Sequence, residues 1–235
     1  MASSLKRILF VFIIQLLAFN LVHCQENRFN AELDKNCKVI IKQFRSISSE
    51  RKAVLDDIAQ KLAKKKYVVF TCSTNSRRTL MLQVWAQTAF YYYGVYGKYA
   101  FSLGDTITNV YPGVVDVLKE AGFYCTSQKN AEPDRYVISI SKEYPINLLS
   151  SKDEVGTIDT EKGVVVNICF ADEQSDIAAN NEHVTLPYQS PTRYEKTRLE
   201  KQKYRALNHK IAVEMLYLGE KMKGIVGQFR NASEY

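Results

Sequence analysis

Val68-Val69-Phe70-Thr71-Cys72-Ser73-Thr74-Asn75-Ser76-Arg77-Arg78-Thr79 is the stretch on which the reading of this chain turns. From Tyr67 to Thr71 it is a β-branched and aromatic run, the composition of a buried strand. From Thr79 to Tyr93 it continues with Leu80, Leu82, Val84, Trp85, Thr88 and Ala89 at helical spacing. The eight residues from Cys72 to Thr79, the last of them opening the helix, are small, polar or basic. A strand passing this directly into a helix places the connecting loop at the carboxyl edge of a sheet. There the first N–H groups of the helix are free and its dipole is positive.

Working outward, the chain alternates strands and helices. Glu32 to Lys66 is helical, with apolar residues at Val39, Ile40, Phe44 and Ile47, then Val54, Leu55, Ile58 and Leu62. Ser48 or Ser49 before Glu50 starts a second helix inside it. Strands are expected at Tyr99 to Leu103, Arg135 to Ser141, Val164 to Phe170 and Val184 to Tyr188. Pro112 to Ala121 is a helix with proline at its start and Gly122 just past its end. Tyr194 to Lys223 is a long amphipathic helix carrying Leu207, Ile211, Met215 and Leu218 on one face. This pattern predicts an α/β fold in three layers, a central parallel sheet of four to five strands flanked by helices, with the loop after its first strand.

At 235 residues, 46% hydrophobic and 24% charged, the chain suits one globular domain with some additional length. Lys6 and Arg7 precede an apolar run from Ile8 to Phe19, which is signal-peptide architecture and too short to span a bilayer comfortably. The expected organisation is a signal peptide over 1–24, a helical extension over 25–65 and the main domain over 66–230. The chain is therefore expected outside the cytoplasm, periplasmic or secreted. Lipidation at Cys24 or an uncleaved anchor is the alternative, and the sole route to a membrane. The net charge of +7 suits anionic ligands of any kind. No aromatic-basic interleaving or recognition motif indicates nucleic acid. No Cys-x-x-Cys pair occurs, and His183 and His209 are isolated, so neither a metal nor any other cofactor is expected.

Each residue of the loop has a chemical use. N–H dipoles and Arg78 would favour the thiolate of Cys72, the nucleophilic form. Arg78 offers planar, paired donors to a tetrahedral oxyanion. Thr79 can donate its hydroxyl to the sulfur. Asn75 accepts a left-handed backbone and bonds its neighbours, holding the loop open. Ser73, Thr74, Ser76 and Arg77 contribute backbone N–H groups to a nest around the anion.

The stretch resembles the Cys-x5-Arg-Ser/Thr signature of the low-molecular-weight tyrosine phosphatases, internal asparagine included, and it also resembles the arsenate reductases that share their fold. Weaker likenesses run through Thr88 to Tyr91, Ser102 to Thr106, Asn109 to Gly122, Val166 to Asp172, His183 to Pro191 and Ile211 to Met215, so the resemblance spans about residues 66–223. It implies Cys72, Arg78 and Thr79 as catalytic residues and Ser73 to Arg77 as the oxyanion cradle. The ligand is then a phosphorylated substrate or an inorganic oxyanion.

Two departures divide the readings. The phosphatases carry an aspartate just before a proline, as the acid that protonates the leaving group. This chain reads Tyr188-Gln189-Ser190-Pro191 there, and Asp172, ahead of Asp176 and Glu182, stands as the replacement acid. The reductases carry two further cysteines to resolve the thiol–arsenic adduct. Cys169 lies at the first position, and nothing from Asp172 to Glu182 supplies the second. Cys37 and Cys125 either pair or stay buried, and spacing does not choose. The resemblance implies first a phosphomonoester hydrolase working through a phosphocysteine on phosphotyrosine-type substrates; the alternatives are an arsenate reductase drawing on a thiol donor, then a catalytically weak oxyanion or phosphoprotein binder.

Overall fold

The computed structural model describes residues 29–232 apart from 107, 129–134, 142–143, 149–158 and 171–174. The expected leader, Cys24 and the replacement acid Asp172 lie outside the described residues. Among the described residues no helix is long and apolar enough to cross a membrane.

The first two helices are α1 (Ala31–Ile41) and α2 (Ser49–Ala63), parted by a 3-10 turn at Phe44–Ser46. Ser48 caps α2 by accepting from the Arg51 N–H, and Asn30 caps α1 through the Leu33 N–H. These short oxygens satisfy N–H groups that a helix cannot bond internally. Strand β1 (Tyr67–Thr74) follows, then α3 (Arg78–Tyr92), β2 (Tyr99–Thr106) and α4 (Pro112–Glu120). Gly122, at φ 101°, ends α4. A Cβ there would sit 2.7 Å from the Leu33 backbone N, so the turn also lets α1 approach closely.

The chain then forms β3 (Tyr124–Gln128), β4 (Arg135–Ser139) and β5 (Pro145–Leu148), continues with β6 (Gly163–Asn167), a short helix α5 (Asp176–Ala179) and β7 (His183–Thr185), and ends in α6 (Glu200–Ala232). The main sheet is parallel and four-stranded, in the order β2-β1-β6-β7. The fold is α/β, with this sheet flanked by helices. The strand expected near Arg135 does not join it. It is the middle of a separate antiparallel sheet, β3-β4-β5.

Helix α3 lies at the centre. Every residue from Arg78 to Phe90 is buried, because the sheet covers one side and α6 another. Two of its polar side chains, Gln83 and Gln87, are satisfied at strand β2. Gln83 accepts from Ser102 Oγ at 2.6 Å, and Gln87, one turn on, accepts from the Ala100 N–H at 3.0 Å. Trp85 donates to Asn208 Oδ1 on α6 at 2.8 Å. Leu33, Cys37, Ile40, Leu55, Ile58 and Leu62 enter the same apolar cluster as the sheet residues. Ile211, Met215 and Leu218 of α6 are buried as expected, and Leu207 packs against them. That helix starts later than the sequence pattern suggests, since Lys196 takes a positive φ of 60° and breaks the helical path.

Candidate functional site

Three strands of the parallel sheet end at one place. Cys72 lies near the end of β1, Cys169 two residues beyond β6, and Tyr188 three residues beyond β7. The β6 and β7 exits are laced together by backbone bonds, Leu186 N–H to Asn167 O at 2.8 Å and Tyr188 N–H to Ile168 O at 3.0 Å. Asn167 shapes the turn into Cys169. Its Oδ1 accepts from the Cys169 N–H at 3.2 Å, and its amide donates back to the Cys169 carbonyl at 3.4 Å. This is the local turn chemistry of asparagine.

Cys72 and Cys169 are joined by a disulfide, with Cα atoms 5.7 Å apart and 97 residues between them in sequence. The bond is shielded from water, Cys72 being 2% exposed and Cys169 not at all. Arg78 reaches both sulfurs: its Nη2 is 3.2 Å from Cys72 Sγ and 3.6 Å from Cys169 Sγ. Its Nη1 donates to the Tyr188 carbonyl at 2.6 Å. The sheet thus brings together Cys72, Arg78 and Cys169, with the Tyr188 carbonyl steering the guanidinium.

The loop differs from the expected cup. Cys72, Ser73 and Thr74 continue β1, with Cys72 opposite Gly104 and Thr74 opposite Thr106 of β2. The chain bends only over Asn75, Ser76 and Arg77. Pairing with β2 draws the strand on past the cysteine, which no local reading of residues 72–74 reveals. Asn75 does not take a left-handed conformation; Lys196 alone does so among the described residues other than glycine. Asn75 acts through its side chain instead, donating to the Ser102 carbonyl at 3.0 Å and accepting from Thr79 Oγ1 at 2.6 Å. The Thr79 hydroxyl is therefore directed at Asn75, where the sequence suggested the sulfur. Ser73 Oγ lies 4.0 Å from Cys72 Sγ.

Arg77 turns away from the thiol. Its Nη2 bonds Glu195 Oε2 at 3.0 Å, its Nη1 bonds Ser76 Oγ at 2.7 Å, and its guanidinium stacks 4.6 Å over the Tyr111 ring. Burial pushes the Glu195 carboxyl up, but hydrogen bonds from Arg77 and Tyr204 outweigh it and leave the acid below its usual value. An acid held ionised in this way is a poor proton donor at neutral pH. Ser190 bonds Thr192 Oγ1 at 2.6 Å. Asp176 begins α5, where its N–H and that of Ile177 are received by Asp105.

Sequence reasoning missed a second layer of residues. Tyr188 is 1% exposed and its hydroxyl donates to Glu214 of α6. Glu214 also receives Arg51 of α2 through Nε at 3.0 Å and Nη2 at 2.9 Å, while Arg51 Nη1 donates to the Pro187 carbonyl at 3.0 Å. The Arg51 guanidinium lies 4.4 Å over the Tyr188 ring. Burial and the Glu214 charge hold the Tyr188 phenol well above its ordinary value, so it stays a neutral donor. Both charges of the pair are largely buried, at 15% and 4% exposure. Removing one would strand the other, at a cost of about 3–5 kcal/mol. The partners are 163 residues apart, beyond any local signal.

Cys37 and Cys125 are free thiols. Burial, with Asp34 nearby, pushes Cys37 up to about 12, and burial pushes Cys125 to about 11. Neither is poised as a thiolate near neutral pH.

No family model and no curated protein matches the chain. Solved structures do. An arsenate reductase in its oxidised state is 17% identical at a TM-score of 0.43, with 67% of this chain and 98% of that one covered. A mutant of YwlE from Bacillus subtilis is 12% identical at 0.43, with 67% and 98% covered. A low-molecular-weight phosphotyrosine phosphatase from Vibrio cholerae O395 is 11% identical at 0.37, with 71% and 97% covered.

Proposed function

We propose that the chain is a cysteine-dependent oxyanion enzyme in which Cys72 is the nucleophile and Cys169 resolves the adduct, the chemistry of a thiol-dependent arsenate reductase. The observation that carries this is the Cys72–Cys169 bond with Arg78 against both sulfurs. In the reduced protein the Cys72 thiolate attacks arsenic(V). A sulfur–arsenic bond forms, and one oxygen leaves as water after taking up protons. The Cys169 thiolate then attacks Cys72 Sγ. The sulfur–arsenic electron pair passes to arsenic, which departs as arsenite, two electrons richer, and the disulfide of this structure is left behind. An external dithiol returns both sulfurs to thiols. Arg78 offsets the charge that builds on the oxyanion. This route needs no proton donor at the position of Ser190.

Incubation of the reduced protein with arsenate and a dithiol tests it. Arsenite should form with the wild type, vanish in Cys72→Ser, and fall to at most a single turnover in Cys169→Ser. Sustained turnover by Cys169→Ser would overturn the resolving role.

A second reading is favoured by the short Arg78–Cys72 contact, which would serve phosphomonoester hydrolysis equally well. It expects p-nitrophenyl phosphate turnover that needs Cys72, persists in Cys169→Ser and appears only after reduction. A missing general acid typically costs 10² to 10⁴ in rate, roughly, and a good leaving group hides much of that loss.

A further inference from the structure

We propose that Arg51, on helix α2, is a positioning residue for Cys72, acting through the Tyr188 backbone on which Arg78 is braced. The inference rests on the reading of Cys72 as the nucleophile, and it adds a part of the chain, residues 49–63, that the loop motif does not include.

The connection is continuous. Arg51 Nη1 holds the Pro187 carbonyl at 3.0 Å, one residue before Tyr188. The same guanidinium clamps Glu214, and Glu214 receives the Tyr188 hydroxyl. Tyr188 is thus gripped at its ring by the Arg51 face, at its hydroxyl by Glu214, and at its N–H by Ile168. Its carbonyl is left to receive Arg78 Nη1 at 2.6 Å. A guanidinium is rigid and planar, so fixing Nη1 fixes the direction of Nη2. That direction is toward Cys72 Sγ, at 3.2 Å. Among the described residues, Lys210 of α6 also faces Tyr188, 5.6 Å from the ring centre. Arg51 and Glu214, together with the Ile168 carbonyl, thus hold the Tyr188 backbone on which Arg78 is braced.

A merely structural pair would alter the unfolding midpoint and leave the Cys72 thiol untouched. A positioning pair would alter the charge that Cys72 carries. The test is the pH dependence of iodoacetamide alkylation at Cys72 in the reduced full-length protein, followed on the Cys72 peptide by mass spectrometry. Arg51→Gln combined with Glu214→Gln keeps hydrogen-bonding groups in place without leaving a buried unpaired charge. In this double variant the alkylation midpoint should rise by about one pH unit. Tyr188→Phe leaves the Arg51–Glu214 pair whole and removes one hydroxyl, and should give a smaller rise; it decides the matter should the double variant fail to fold. A midpoint equal to the wild type in the folded variants overturns the inference. Arg78→Lys separates this failure from failure of the nucleophile reading. If Arg78→Lys raises the midpoint and the Arg51 and Glu214 changes do not, only the positioning role is lost. If the wild-type midpoint already sits at that of an ordinary thiol and Arg78→Lys leaves it there, the nucleophile reading is lost too.

Discussion

Arg78 Nη2 stands 3.2 Å from Cys72 Sγ, and the two residues are only six apart in sequence. A cation held this close to a buried sulfur favours its anionic form, and the flat guanidinium can address a tetrahedral ligand through two donors at once. Lysine offers a point charge without that geometry. Arg78→Lys should therefore lower oxyanion turnover by about 10² or more, read from steady-state kinetics on the reduced protein.

Asn75 links the loop to two elements by side-chain bonds, to the Ser102 carbonyl and to the Thr79 hydroxyl. Asn75→Ala removes both bonds at a buried place, since Thr79 and Ser102 are shielded from solvent. The expected loss is about 1–3 kcal/mol for each group left unsatisfied, measured by urea unfolding.

Gly104 faces the loop across the sheet. A Cβ at this position would lie 2.4 Å from the Asn75 backbone N and 2.9 Å from Asn75 Cβ. Backbone cannot yield as a flexible side chain can, so Gly104→Ala should push residues 74–75 outward. Thermal unfolding should show a destabilised protein, and Cys72 alkylation under native reducing conditions should speed up as the loop opens.

Alkaline stability should be governed in part by Cys37. Its folded-state value of about 12 lies above the ordinary 9.0. Below pH 9 both folded and unfolded chains hold the proton and nothing is lost. Between about pH 9 and 12 the unfolded chain releases it and the folded chain does not, so stability falls as pH rises, by up to about 1.4 kcal/mol per pH unit. Denaturation at a series of pH values should show this slope, and Cys37→Ala should reduce it.

The core strand at 67–71, the buried helix after it and the start of α2 at Ser48 were all legible, because each is written in contiguous residues. So was the juxtaposition of a cysteine with an arginine at a helix start. The antiparallel sheet was not. Tyr124 to Gln128 is mostly exposed and lacks apolar alternation, and Pro145 opens β5, so neither announces a strand. The extension of β1 through Thr74 depends on partners in β2, thirty-two residues away. The Cys72–Cys169 bond was one of several pairings that spacing allowed, and only the parallel register of β1 on β6 brings those two strand ends side by side. Arg51 lies on α2, far in sequence from the loop it supports. Its role arises from Glu214, and nothing near either residue in sequence points to the other.

The bond between Cys72 and Cys169 encloses a loop of the chain with 97 residues of separation between its anchors. A single proteolytic nick anywhere from 73 to 168 would accordingly leave one covalent molecule. It would migrate as intact protein on a non-reducing gel and fall into two fragments once a reductant is added.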